Sequence, residues 1–514
     1  MKLQALQEFA DSVWRSRETV NPVMEELARY ICPDARGFQS NQPPDGEGRE
    51  DIWDSTPEEA ASMLAAALGS LLSNPATAWF SLDLAGDVEK GGEVGEWLTG
   101  ATRIMLDEMA APESCFYQEI DVFYIHLVSL AWAVLFIEYR DGRGLVFKSL
   151  PPKECALTEN ADGLVDTLVR RFTMTAAQLR EEFGEDKLSD EAKQALAKDP
   201  LKRFVITHLV LPKEKLPKDS LGNGQKAELV PPHAFVSVLY EEKAEQPLHT
   251  GGYFSFPFVV PRWSKRAGEV YGRGPGHAAL PDIRVLNRVS MSQLDAAEKA
   301  SNSPILAPDD SVLDRKINTY PGGVTWYRPS GGEFMPLPAT ADLGAMQVIR
   351  EERKDAIRRL FLNDRIQLAG GADMTATEVM ARQHKQMQSL GPVLGRLQSA
   401  ECLGRLISRV FELLWRNGRF DDKLPQGLTP GQNLRVRYVS PITRAQKQAE
   451  ADNFVQALHY IAPLADIYPD LMDHFDMDVI VRDTRELFAY PAKYLKDEKQ
   501  VERERMLQSS GGAA

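Results

Sequence analysis

Cysteine is scarce in this 514-residue sequence: Cys32, Cys115, Cys155 and Cys402 lie far apart, and no two form a CxxC pair. That spacing supports neither a zinc site nor a disulfide scaffold, and a reducing compartment is the simpler assumption. Positive charge is also short. Sixty Lys and Arg against 74 Asp and Glu leave a formal net charge of −14, which argues against a protein that grips nucleic acid, with a local basic patch left open. The eight histidines are dispersed, with no HExxH or other metal-ligand spacing, and no GxSxG is present. No catalytic residue, metal or cofactor is expected. The uncharged run Val122 to Ile137, VFYIHLVSLAWAVLFI, contains His126 and falls short of the roughly 18 to 20 residues a spanning helix needs. It leads into a hairpin signal at Asp141-Gly142, so it reads as a buried helix followed by a strand, with no membrane partner. MKLQALQEFADSVWRSRETV has scattered charges and no apolar core, so no secretory signal is expected. No period of 20 to 50 residues repeats.

What is present is an ordinary globular composition, 43% hydrophobic and 26% charged, in a chain long enough for two to four structural regions. From Leu3 to Tyr30 the apolar spacing is helical, with a break at Asn21-Pro22 and a stop at Pro33. A helix begins with Ser55 or Thr56 as N-cap, Pro57 in the first turn and Glu58 and Glu59 at the positive dipole end, and closes at Asn74-Pro75. Residues 145–211 alternate short apolar runs with turns, and Thr173 or Thr175 caps the helix in TMTAAQLREEFG. Strands are predicted between Phe235 and Val260, then a helix from about Pro281 to Ser301 that mixes Ser and Ala with larger apolar residues.

Residues Ile305 to Pro338 carry the densest Pro and Gly punctuation and read as a loop-and-strand insertion. Helical spacing then resumes, with Met346, Ile349, Ala356, Ile357 and Leu360 as one stripe amid charge. Gly370-Gly371 breaks that helix, and Thr375 with Glu378 forms a capping box that starts another. Leu403 to Leu414 mark an amphipathic helix ending at Asn417-Gly418, followed by a strand from Leu434 and further helices, and LQSSGGAA at the end reads as disordered.

One stretch invites a catalytic reading. EVYGRGPGHAALPDIRVLNR sets Gly272, Gly274 and Gly276 at alternate positions before a helix. A dinucleotide fingerprint needs GxGxxG and a later acidic residue, and a Walker loop needs Gly-Lys-Ser or Gly-Lys-Thr. Neither is here, and Pro275 removes one backbone N–H from the loop. A nucleotide-dependent enzyme using residues 272–276 is the alternative reading. Pairs such as Glu351-Glu352 and Glu181-Glu182 read as solvated helix faces.

FPFVVPRWSKRAGEVYGRGPGHAALPDIRVLN resembles the head-to-tail connector, or portal, proteins of short-tailed bacteriophages, in which an aromatic-Pro run, Arg-Trp and YGRGP precede a long helix. DSTPEEAASMLAAALGSLLSNPATAWFSL, RLFLNDRIQLAGGADMTATEV, LGPVLGRLQSAECLGRLISRVFELLWRNGR and VSPITRAQKQAEADNF are similar to further family segments, in the same order, from about Asp51 to Ala492. The resemblance implies an α+β, mainly helical portal fold. Residues 1–270 are then N-terminal helices and a mixed α/β wing, 271–303 and 341–368 the two stem helices, and 304–340 the clip between them. Residues 367–376 are a tunnel loop, 377–440 long wing helices and a strand, and 441–514 a helical crown.

The family likeness further implies a dodecameric ring at one capsid vertex, part of the virion and assembled in the host bacterial cytoplasm. Double-stranded DNA would be packaged and ejected through it non-specifically, driven by a separate terminase large subunit that docks transiently. Major capsid, scaffolding and tail adaptor proteins are the other implied partners. Gln367, Leu368, Gly370, Gly371, Asp373 and Thr375 would face DNA in the tunnel loop. Asp282, Arg284, Arg288, Glu298, Glu351, Glu352 and Arg358 are stem and channel candidates, and every channel-facing charge would be repeated around the ring. Tyr271, Gly272, Arg273, Gly274 and Pro275 would form the wing-to-stem bend, with the glycines supplying unusual backbone angles and Pro281 in the first helical turn. On that reading Gly272→Val blocks ring assembly and affects no catalysis.

Overall fold

The computed structural model describes residues 3–39, 51–84, 93–217, 233–242, 246–301, 305–306, 335–336, 343–366, 391–393, 395–399, 401–420 and 434–438. Two helices open it, α1 (Leu3–Arg17) and α2 (Asn21–Ile31), separated at the expected Asn-Pro break and stopped by a 3₁₀ turn at Pro33–Ala35. Helix α3 (Thr56–Leu72) has Pro57, Glu58 and Glu59 in its first turn. Ser55 occupies the N-cap position without a side-chain bond there. Asp54 does that work instead, its Oδ1 accepting the Thr56 N–H at 3.0 Å.

The uncharged run folds as the sequence predicts. Helix α5 (Phe116–Leu130), reached from α4 (Glu93–Ala110), buries Phe116, Ile120, Phe123, Tyr124 and Leu127 at the centre of the main core. It ends at Ala131, which takes a left-handed φ of 68° where glycine would be the unstrained choice. Strands β2 (Val134–Arg140) and β3 (Gly144–Leu150) follow as an antiparallel hairpin. Gly142 and Gly144 sit at φ 77° and 84°, so the turn needs them. No described helix is long and apolar enough to cross a membrane.

A five-stranded antiparallel sheet has the order β4-β5-β6-β7-β8: Cys155–Glu159, Val165–Thr175, Arg203–Pro212, Phe235–Glu241 and His249–Tyr253. Leu6, Ala10 and Val13 of α1 pack with Val169, Leu209, Val236 and Val238 of the sheet. Helices α6 (Ala176–Phe183) and α7 (Asp190–Lys198) pack at Phe204, Ile206 and Leu248. Thr175 caps α6 in a complete capping box with Gln178. Strand β9 (Phe258–Val259) joins the β2–β3 hairpin.

The long helix α8 (Pro275–Ser301) and α9 (Leu343–Leu360) bracket the expected insertion, whose ends meet in a short antiparallel ladder of β10 (Ile305–Leu306) and β11 (Met335–Pro336). Helix α9 ends before Leu362, which has φ 62°, and the one-turn α10 (Asn363–Ile366) follows. Helix α11 (Leu403–Arg416) buries Leu403, Leu406, Ile407, Val410 and Leu414 in the main core. Finally β12 (Leu434–Tyr438) pairs antiparallel with β1 (Phe80–Leu84), tying the last described segment to the chain between α3 and α4.

Candidate functional site

The glycine-rich bend is shaped by the turn that ends α5. None of Gly272, Gly274 and Gly276 has a positive φ, so the expected reliance on unusual backbone angles is corrected. What they share is proximity. A Cβ on Gly272 would lie 2.7 Å from the Ala131 carbonyl oxygen, on Gly274 2.9 Å from Ala131 Cβ, and on Gly276 2.6 Å from the Ser129 carbonyl oxygen. The Trp263 N–H donates to that Ala131 carbonyl at 2.8 Å, closing the two segments together. Gly272 and Gly274 meet Ala131 from the irregular stretch before the helix and Gly276 meets Ser129 from its first turn, so all three are glycine because the chain passes one wall at backbone distance.

The helix itself begins earlier than predicted. Pro275 is its first residue, where its fixed φ and missing N–H cost nothing. Pro281 lies inside the helix, not in its first turn. The Gly274 N–H reaches His277 Nδ1 at 3.4 Å, and burial beside the Arg273 charge lowers the His277 pKa to about 4. The three glycines are therefore accounted for by close packing against the end of α5, with no phosphate needed to explain them.

Tyr271 is buried, its ring 5.1 Å from that of Trp132, and its oxygen accepts the Leu157 N–H at 3.2 Å. Burial pushes its pKa up to about 12. Arg273 is exposed and pairs with Glu269 at 2.6 Å. Beside them Arg262, with 1% of its side chain exposed, pairs with Glu159 and with Glu401 at 2.6 Å and donates to the Gly163 carbonyl at 2.8 Å. That guanidinium fastens the bend to the five-stranded sheet and to the residues just before α11.

The long helices join the N-terminal helices through the buried Ile283, Leu286 and Ile357 of the main core and through ion pairs. Asp54, with 4% of its side chain exposed, pairs with Arg350 at 3.1 Å and Lys354 at 3.3 Å of α9, and takes a long bond from Ser290 of α8 at 3.4 Å. Burial raises its pKa, but hydrogen bonds from Thr56 and the Lys354 charge outweigh it, so the net shift is downward. Asp282 pairs with Arg353 at 2.7 Å, and Arg284 forks onto Glu26 of α2 at 2.5 Å.

Of the channel candidates, Asp282 and Arg284 are thus engaged within the chain. Arg288, Glu298, Glu351 and Glu352 are exposed, and Arg358 lies near Asp355 at 3.8 Å. Of the predicted α9 stripe only Ile357 is buried; Ile349 and Leu360 face solvent. Gln367, Leu368, Gly370, Gly371, Asp373 and Thr375, most of the insertion, and residues 439–514 lie outside the described residues.

Sequence reading missed Asp54, Ala131 and Arg262. Asp54 stands directly before Ser-Thr-Pro-Glu-Glu, a position that could have flagged a cap. Arg262 had no local signal, because both its carboxylates lie more than a hundred residues away. Among the described residues no group of three His, Cys, Asp or Glu could hold a metal. The groove of about 490 Å³ between α3 and α5, lined by Ser62, Ala66, Ser70, Tyr117 and Asp121, brings no base and nucleophile together.

Comparison with known proteins gives the class of this architecture. Residues 3–495 match the family described as bacteriophage head to tail connecting protein, and the chain belongs to that family. Among its relatives, a probable portal protein of Bordetella phage BPP-1 is 29% identical over 473 residues, 90% of this chain and 83% of that one. The portal protein of Salmonella phage epsilon15 is 26% identical over 491 residues, 93% of this chain and 86% of that one. A chain in the neck of a native gene transfer agent particle aligns with 80% of this chain and 86% of its own at 10% identity and a TM-score of 0.36, too loose a likeness to carry an argument.

Proposed function

We propose that the chain is the subunit of a dodecameric portal ring at one capsid vertex, with α8 and α9 as its stem, the segment between them as its clip, and the residues after 440 as its crown. The observation that carries this reading is the surface of the long helices. Val285, Met291 and Leu294 of α8 and Leu343, Val348 and Ile349 of α9 are exposed in the single chain. An amphipathic pair that shows apolar side chains to solvent needs a covering surface, and a closed ring supplies one at every subunit.

The subunit then hydrolyses nothing. Double-stranded DNA passes through the channel during packaging and ejection, the terminase large subunit docks transiently and supplies the energy, and tail adaptors attach at the clip side. Scaffolding and major capsid proteins surround the ring during assembly in the host cytoplasm. The net charge of −14 fits a conduit, because each phosphate neutralised by Lys or Arg strengthens binding and slows release. Residues 367–376 are the segment assigned to the channel wall. Single-particle imaging of the purified chain tests the ring. Closed twelvefold rings are expected; monomers at all concentrations, with scaffolding protein present, would overturn it.

A further inference from the structure

One face of α3 stays uncovered among the described residues. Ser62, Ala66 and Ser70 recur at every fourth position, all exposed, and form one wall of the groove of about 490 Å³ shared with α5. Tyr117, Asp121 and Ile125, again four apart, make the other wall, and Val122 stands on its rim with 42% of its surface exposed. Side chains as small as those of α3 let a further backbone come close, which suits the packing of one more helix along the groove. Asp121 is the one charged residue among the described residues that line it. It makes no ion pair among the described residues, and loss of water around it raises its pKa.

The β1–β12 ladder fixes what arrives at this groove. Tyr438, the last residue of β12, pairs with Phe80. Phe80 follows Trp79, whose ring stacks on that of Phe116 with centroids 6.3 Å apart, and Phe116 adjoins Tyr117 in the groove wall. Pro75 lines the same end. The chain beyond Tyr438 therefore sets out from the Tyr117 end of the groove, and its first residues read VSPITRAQKQAEADNFV. Ser440 before Pro441 is a helix-start signal. Arg444, Lys447, Ala451, Phe454 and Val455 then share one face at helical spacing, basic at its start and apolar after. Lys447 to Ala451 is the same four-residue step, about 6 Å along a helix, as Asp121 to Ile125 and Ser70 to Ala66.

We propose that the groove between α3 and α5 is the seat of residues 441–455 of the same chain. The segment enters at the Pro75 and Tyr117 end; Lys447 pairs with Asp121, Ala451 lies on Ala66, and Phe454 and Val455 cover Ile125 and the rim at Val122. The alanine suits the shallow wall of α3, and the lysine supplies the countercharge that Asp121 lacks. Attachment favours this occupant over a separate one, because a segment tethered a few residues from its site meets it at an effective concentration on the order of millimolar.

Photo-crosslinking of the full-length chain tests this. The photoreactive residue p-benzoylphenylalanine in place of Val122, on the rim, should crosslink to residues 441–455, with the linked peptide identified by mass spectrometry. Mixing isotopically light and heavy chains shows whether both halves come from one chain, as expected. Asp121→Lys should lower that crosslink about fivefold, the worth of one exposed ion pair, and adding Lys447→Glu should restore it. The thermal midpoint should not move with Asp121→Lys by more than that pair is worth, since the side chain is exposed. A crosslink to residues 367–390, to another chain or to nothing would overturn the proposal, as would a yield indifferent to Asp121→Lys or not recovered by the exchange.

Discussion

Replacing Gly272 by alanine probes the bend most directly. The added Cβ would sit 2.7 Å from the Ala131 carbonyl oxygen, 3.0 Å from Arg262 Cβ and 3.3 Å from the Trp263 nitrogen. Two of those neighbours are backbone, and Arg262 is held by Glu159 and Glu401, so none can swing aside. Forcing one carbon into such a site costs ~1–3 kcal/mol. Loss of glycine's freedom in the unfolded chain returns ~0.4–1 kcal/mol, leaving a net destabilisation of ~1–2 kcal/mol. Gly272→Val adds two further methyl groups and should lower soluble yield, so its effect falls on the subunit before any question of assembly arises. Gly100 supplies the contrast: it lies exposed within α4, with nothing within 4 Å of its would-be Cβ. Gly100→Ala should therefore stabilise by up to ~1 kcal/mol through helix propensity. Urea unfolding followed by circular dichroism reads both. Equal midpoints for Gly272→Ala and Gly100→Ala would refute the close-approach argument.

Asp54→Asn removes the countercharge of Arg350 and Lys354 and should cost ~2–3 kcal/mol, less than a fully buried pair because Arg350 keeps about a third of its side chain in water. Its carboxyl pKa is lowered on folding, so its contribution is complete above the ordinary aspartate pKa of about 4 and fades as pH falls through the lower folded value; urea midpoints at pH 7, 5 and 3 should show the mutant losing less between 5 and 3 than the parent. His126, whose Nδ1 has no partner, has its pKa lowered by burial to about 4. Stability should thus drain away as pH falls from about 6.5 toward 4, by on the order of 2–3 kcal/mol, and His126→Leu should flatten that slope in the same assay. Burial raises the thiol pKa of Cys32 to about 11 and of Cys155 and Cys402 to about 12, whereas Cys115 is half-exposed; thiol-disulfide exchange with a coloured reagent should label Cys115 first, and the other three only on unfolding.

Local chemistry made many elements legible. Asn21-Pro22, Thr173 or Thr175, Asp141-Gly142 and Asn417-Gly418 each mark a boundary through a side chain or backbone angle that acts within a few residues, and the structure places boundaries there, choosing Thr175 of the two threonines. The order of quoted segments carried the family likeness, which the match over residues 3–495 bears out. The same local reading placed the start of α8 at Pro281, because a proline signals a first turn equally well at 275 and 281 and the sequence supplies two.

The sequence by itself determined that the chain is acidic, that the run from Val122 splits into a helix and a strand, and that two helices bracket a Gly- and Pro-rich insertion. These follow from periodicity, turn chemistry and charge, which act over short chain distances. Only the tertiary structure decided why residues 272, 274 and 276 are glycine, since the wall they press against lies more than 130 residues away at Ser129 and Ala131. It alone brought Arg262 to Glu159 and Glu401, and Asp54 to Arg350 and Lys354. Such pairs form when folding closes long loops and withdraws both partners from water, and neither proximity nor desolvation is written in residue order.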